Sequence, residues 1–241
     1  MKKIIVWDLP MRLFHWAFAG SLSGALAIGF LVDDDSPLFP YHMLLGIVAA
    51  FSLVMRFILG IVGSRHNRFT AMPLRPGEAI RYFTGAFTGK ARRYIGHNPG
   101  GAAAALLMFA LVPLLVASGT GWLDEDLHEG FAIGLLVVVG LHIAGIIWHT
   151  IRHKEPIAMS MVTGSKEGPE NEGLPGHAAP TAIAMLLVST AWVVALFANY
   201  NPRAETVKLP LLATTLQMGE GEGEEEEEDE ESEHHEDDDD D

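Results

Sequence analysis

The chain is expected to fold as an all-α integral membrane protein, and three features of its sequence carry that expectation. Its mean hydropathy is +0.23 with 49 % hydrophobic residues over 241 positions, too apolar for a soluble domain of this size. Five of its apolar runs approach the roughly 20 residues that a helix needs to cross a bilayer. Charge is also segregated: the formal net charge is -15, yet 17 of the 31 acidic residues lie between Glu220 and Asp241, so the rest of the chain is slightly basic.

The first span covers residues 11–32 and is stopped by Asp33, Asp34, Asp35, Pro37 and Pro40, with His15 one turn inside it. No small-residue cleavage site stands out after it, so it reads as a retained helix rather than a signal peptide. The second span, 40–62, carries His42 near its start and Arg56 further along. The third, 100–119, follows the turn HNPGG, with Pro99 as a helix starter and Pro113 as the expected kink. The fourth, 127–151, is entered through Asp124, Glu125 and Asp126 and holds His128, His142 and His149. The fifth, 179–199, has no histidine. A short surface helix fits the pattern around Glu78 to Phe87. Residues 165–178 read as a linker and 200–241 as an acidic tail.

Basic residues gather at Lys2 and Lys3, in the loop with Arg65, Arg68, Arg75, Arg81, Lys90, Arg92 and Arg93, and at Arg152, Lys154 and Lys166. The positive-inside rule makes those segments cytoplasmic. The expected setting is a membrane crossed several times, with a cytoplasmic N-terminus and the C-terminal tail on the outer side.

Ionisable or metal-binding side chains inside a membrane helix are expensive and mark function by default. Fourteen residues separate His128 from His142, about 21 Å along a helix and within about 40° of one face. His42 begins its span at the same membrane face as His128, while His15 starts at the opposite face, near His142. Two histidine pairs at two depths suit two b-type haems stacked across the membrane, because low-spin haem iron takes one imidazole on each side. The chain has no cysteine, which excludes disulfides, thiolate-held clusters, covalent c-type haem and cysteine nucleophiles. Depth pairs His42 with His128. Turn counting lets either His142 or His149 meet His15, with His142 slightly ahead; the other role for His149 is an interfacial ring contacting a haem propionate, a quinone or headgroups. Arg56, fourteen residues after His42, fits equally a haem propionate or snorkelling to lipid phosphates. Arg12 has the same two roles, with snorkelling favoured by its position nearer the interface. Gly20, Gly24, Gly46, Gly134, Gly140 and Gly145 suit either a close macrocycle or simple helix packing.

The segments VWDLPMRLFHW, YHMLLG with RFILGIVGSR, RYIGHNPGGA, and LHEG with GLHIAGIIWH, in this order, resemble the bacterial cytochrome b561 and nickel-iron hydrogenase b-type cytochrome family over residues 4 to 164. The resemblance implies a four-helix di-haem core over 1–164, with His15 and His142 on the cytoplasmic-side haem and His42 and His128 on the periplasmic-side haem. It thereby selects His142 over His149. It also implies electron passage between membrane quinone and a partner, either a hydrogenase or other reductase subunit or a soluble c-type cytochrome. The fifth helix and the tail lie outside it.

The expected architecture is therefore a four-helix di-haem transmembrane bundle plus a fifth transmembrane helix and a disordered acidic tail. The expected role is electron transfer rather than stand-alone catalysis, with quinone oxidoreductase activity open to it. Its partners are lipid, quinone and a redox protein, not nucleic acid. Against a basic periplasmic cytochrome the tail would act as an electrostatic tether; otherwise it is a solubilising extension. His234 and His235 among carboxylates suit weak divalent-metal uptake. Two rivals stand beside this reading: the membrane subunit of a hydrogenase or similar complex, and a haem-free transporter or structural bundle.

Overall fold

The computed structural model describes residues 2–73, 75–88, 94–212 and 214–218. The run from Glu220 to Asp241 with His234 and His235, and the basic residues Lys90, Arg92 and Arg93, lie outside the described residues. The protein is mostly helical, and five helices among the described residues are long and apolar enough to cross a membrane: α1 (Leu9–Leu31), α2 (Pro40–Val62), α4 (Pro99–Gly119), α5 (Asp126–His153) and α7 (Ala179–Ala198). The short helix α3 (Pro76–Thr88) occupies the loop where the sequence suggests a surface helix, and α6 (Ile157–Thr163) follows α5.

Each start has a local cause. Asp8 caps α1 by accepting from Met11 N at 3.1 Å, with Pro10 in the first turn. Asn98 caps α4, accepting from Gly101 N at 2.8 Å, and Pro99 follows it. Both caps satisfy backbone donors that the helix itself leaves orphaned. Pro113 lies inside α4.

The spans assemble as two hairpins. α1 packs along α2, α4 along α5, and α2 meets α4. Phe14, Phe18, Leu22, Leu53, Phe109 and Val112 form the buried seam, with Phe14, Phe18 and Phe109 meeting ring to ring. α5 is different: Leu135 is its one fully buried residue among those described. Trp192 of α7 stacks on Phe51 of α2 at 4.1 Å.

A polar cap closes one end of the bundle, where the sequence reading expects only a linker over residues 165–178. Strand β1 (Lys2–Ile5) pairs antiparallel with β2 (Ser165–Gly168), Ile5 opposite Ser165. Asn67 Nδ2 donates to both carboxylate oxygens of buried Asp8 at 2.8 and 2.9 Å, and Trp7 Nε1 donates to Ser160 Oγ at 3.2 Å. Gly164 makes the junction possible. Its φ of +79° ends α6, and its carbonyl accepts from Val6 N and Trp7 N at 2.8 and 3.0 Å. Residues from Ala195 onward form a second unit, in which β3 (Tyr200–Asn201), β4 (Thr206–Lys208) and β5 (Thr215–Gln217) make a meander over buried Leu196, Val207 and Met218.

A Cβ on Gly164 would stand 2.6 Å from the Trp7 carbonyl in addition to forcing a left-handed backbone. Gly164→Ala is therefore expected to cost at least about 1–2 kcal/mol, read as a lower unfolding temperature in detergent. Gly176→Ala, where a Cβ meets nothing within 4 Å, should leave that temperature unchanged.

Candidate haem-binding site

Histidines from the two hairpins meet at one level of the bundle, His42 of α2 facing His128 of α5. α1 and α2 contribute His15 and His42, and α5 contributes His128, His142 and His149.

His42 and His128 come together with ring centroids 5.9 Å apart. Two imidazoles ligating one metal from opposite sides have centroids about 6 Å apart, from a metal–nitrogen bond of about 2 Å plus the ring radius on each side. Each ring is held by its Nδ1. His42 Nδ1 lies 2.8 Å from the carbonyl of Ala25, which can only accept, so Nδ1 carries the proton. His128 Nδ1 lies 3.0 Å from Ser118 Oγ, and that hydroxyl is within 3.0 Å of the Leu114 carbonyl and 3.2 Å of the Leu115 carbonyl. The hydroxyl proton goes to a carbonyl, so the serine oxygen accepts from His128 Nδ1. Both tautomers, assigned from these partners, leave Nε2 with its lone pair, the form that ligates a metal.

Two glycines make this approach possible. A Cβ on Gly29 would come within 2.8 Å of His42 Nδ1, and one on Gly119 within 3.1 Å of His128 Cε1. Neither is among the glycines the sequence singles out. Phe39 covers His42 at 5.6 Å, nearly parallel.

His15 and His142 are within electrostatic reach of one another. His15 Nδ1 is buried without a hydrogen-bond partner, and Trp16 lies edge-on to its ring at 5.0 Å. His149 belongs to a different group. It faces Glu155 at 3.7 Å and His153 at 4.6 Å between ring centroids, and it lines a cavity of about 590 Å³ together with Lys3, Lys154 and Lys166.

The two arginines differ sharply. Arg12 donates through Nε to the Met161 carbonyl at 3.3 Å and through Nη2 to the Val162 carbonyl, so it fastens α1 to the end of α6 rather than reaching lipid. Arg56 is 1 % exposed, and both its terminal nitrogens are buried without a partner. Its guanidinium is enclosed by Phe69 at 4.6 Å, Phe109 at 5.7 Å and Phe14 at 5.9 Å. Phe69 reaches it over Gly60, where any Cβ would collide with that ring. This is no snorkelling arginine: rings stabilise a cation modestly, but they accept none of its N–H bonds.

The glycines divide as well. A Cβ on Gly24 would press on Leu45 at 2.8 Å, so this residue serves helix packing, whereas Gly20, Gly46, Gly134, Gly140 and Gly145 have nothing within 4 Å. Sequence reasoning also passed over His97 of the HNPGG turn. Its Nδ1 is buried without a partner and Trp7 packs edge-on at 4.8 Å. Burial first, then the charges of Arg56 and Lys166 and the neighbouring imidazoles of His66 and His142, push its imidazole down to about 3. The signal was present, a histidine beside a helix-starting proline, but its burial depends on Trp7, ninety positions away.

The residues fit haem. Imidazoles with their Nδ1 engaged present a ligating nitrogen, and with no cysteine in the chain the group is held without a covalent tether. A multi-pass helical bundle carrying such rings defines a membrane cytochrome of the b type. The model for prokaryotic cytochrome b561 matches residues 6–164, and the chain belongs to that family. It is similar to a probable Ni/Fe-hydrogenase B-type cytochrome subunit of Rhizobium leguminosarum bv. viciae, 24 % identical over 214 residues that cover 68 % of this chain and 89 % of the relative. A protein of the same description from Bradyrhizobium diazoefficiens is 23 % identical over 214 residues, covering 68 % and 86 %. No solved structure matches.

Removing the acceptor for His128 Nδ1 leaves the ring free to rotate. Ser118→Ala is expected to weaken haem retention by about tenfold, measured as haem per protein during dilution in detergent. Ser52→Ala, whose hydroxyl only donates to Val48 O on its own helix, should retain haem as the parent does.

Proposed function

We propose that the protein is a di-haem cytochrome b of the bacterial inner membrane that relays electrons between the quinone pool and a redox partner on the periplasmic side. His42 and His128 hold the outer haem and His15 and His142 the inner one. The observation that carries this reading is the meeting of His42 and His128 across the two hairpins, ring centroids 5.9 Å apart, with His142 on the same helix within electrostatic reach of His15. Haem iron supplies one-electron chemistry at both levels. The chain supplies the rest: Ala25 and Ser118 fix the proton on Nδ1 of the outer ligands. Arg56 is read as the counter-charge for an inner-haem propionate, since it is a buried cation lacking an anion. His149 is read as a surface histidine of the cytoplasmic end, where the cavity beside Glu155 suits a quinone headgroup.

Two observations bear on the partner. Relatives named as Ni/Fe-hydrogenase cytochrome subunits favour a hydrogenase. The run from Glu220 to Asp241 favours a basic protein such as a c-type cytochrome, which it would attract at low salt and lose at high salt. Copurification from native membranes separates them, an iron-sulfur subunit marking the first and a soluble haem protein the second. A haem-free transporter or structural bundle would lack both the Soret band and the reduced b-type α band.

The pairing makes a sharp demand on a single substitution. His128→Ala should lower haem content by half, with the remaining haem still low-spin and reducible. Full retention of haem, or loss of both groups from a protein that still folds, contradicts the pairing.

A further inference from the structure

The HNPGG turn belongs to no role assigned so far. It carries His97, whose buried Nδ1 has no hydrogen-bond partner. Arg56, Lys166, His66 and His142 all act on His97 electrostatically. Lys166 Nζ is directed to the Ile95 carbonyl at 3.1 Å, and His66 Nε2 lies 2.8 Å from the Glu172 carbonyl. Nη1 and Nη2 of Arg56 and Nδ1 of His97 are buried with no hydrogen-bond partner, and the two side chains are within electrostatic reach of one another. Asn98 begins α4 directly after His97, so the positive end of that helix dipole lies here as well.

A cation this deep is stable only beside an anion that also accepts its hydrogen bonds. A single carboxylate has the capacity: one oxygen for the guanidinium and the other for an imidazole N–H. The surroundings keep His97 neutral, so it serves as a hydrogen-bond donor and not as a second charge. The aromatic cage of Phe14, Phe69 and Phe109 keeps Arg56 from moving elsewhere, and Trp7 braces His97.

We propose that His97 and Arg56 together form the carboxylate clamp of the inner haem, each holding a propionate oxygen, and that His97 is a positioning residue that helps set that haem's potential. The clamp rests on the di-haem reading above. His97 lies within electrostatic reach of His142, the proposed inner ligand. A propionate neutralised by Arg56 and hydrogen-bonded by His97 opposes iron reduction less than a bare one. Weakening the clamp therefore lowers the inner potential, charge and hydrogen bonding being two of the levers that set it.

The test is a redox titration of the purified holoprotein, with the inner haem identified as the one lost in His142→Ala. Arg56→Gln should move the inner one-electron equilibrium at least tenfold toward the oxidised form, a fall of 59 mV, with the outer potential unmoved. Arg56→Lys should recover part of the shift. His97→Leu should shift the same potential less far, and His97→Gln, which keeps an N–H donor, should restore it. Infrared difference spectra with haem isotopically labelled in its propionates should show the carboxylate band move in His97→Leu. If Arg56→Gln does not fold, the two His97 variants carry the test. Two haems in the parent with an unmoved inner potential and an unmoved propionate band in His97→Leu overturn the clamp alone. Fewer than two haems in the parent overturn the di-haem reading and the clamp with it.

Discussion

An imidazole inside a bilayer has two nitrogens to satisfy and no water to satisfy them, and much of the site follows from how the chain meets that demand. At the level of His42 and His128 the answer is explicit. A helix carbonyl at Ala25 and a serine hydroxyl at Ser118 take Nδ1 of His42 and His128, which fixes the tautomer and leaves Nε2 free to ligate. Gly29 and Gly119 are small because the rings must come that close to the helices that hold them. The serine is itself anchored, its proton committed to the preceding turn of α4. Ligand, acceptor and glycine thus form one unit distributed over α1, α2, α4 and α5.

The same constraint explains why α5 is built differently from its neighbours. Its His128 ring meets His42 of the opposite hairpin, and on the proposed pairing His142 turns the same way one level further in. Leu135, between His128 and His142, is its one fully buried side chain among the described residues. The compact seam of the bundle is supplied instead by α1, α2 and α4 through Phe14, Phe18, Leu53 and Phe109. Phe14 and Phe109 serve twice, closing the seam and walling in the Arg56 guanidinium. Packing and charge placement are therefore coupled at the inner end of the bundle.

The sequence made the transmembrane part legible because its signals are local. Apolar length, a proline or aspartate at a helix start and the fourteen-residue spacing on one helix all survive without tertiary information. The spans agree with the helices to within two residues at each end, and the surface helix falls where the pattern suggests it. What stayed hidden depends on distant residues meeting. The pairing of Lys2–Ile5 with Ser165–Gly168 involves two four-residue strands separated by most of the chain, each too short to carry a period of its own. Arg12 reads as a snorkelling residue because its true acceptors, two carbonyls ending α6, are set by where that helix lands. His97 reads as a turn residue because nothing near it announces that Trp7 and Arg56 will enclose its surroundings. The acceptors of the outer histidines were equally invisible, since Ala25 and Ser118 are unremarkable until the hairpins are in place.

On the proposed pairing, α5 forms the shared wall of two bis-histidine haem sites. The most direct test is the haem-to-protein ratio of the purified, unmodified protein, taken together with its spin state. The account requires two non-covalent b-type haems per chain, both low-spin in the oxidised and reduced forms. One haem per chain, or a high-spin centre in place of either, would contradict it.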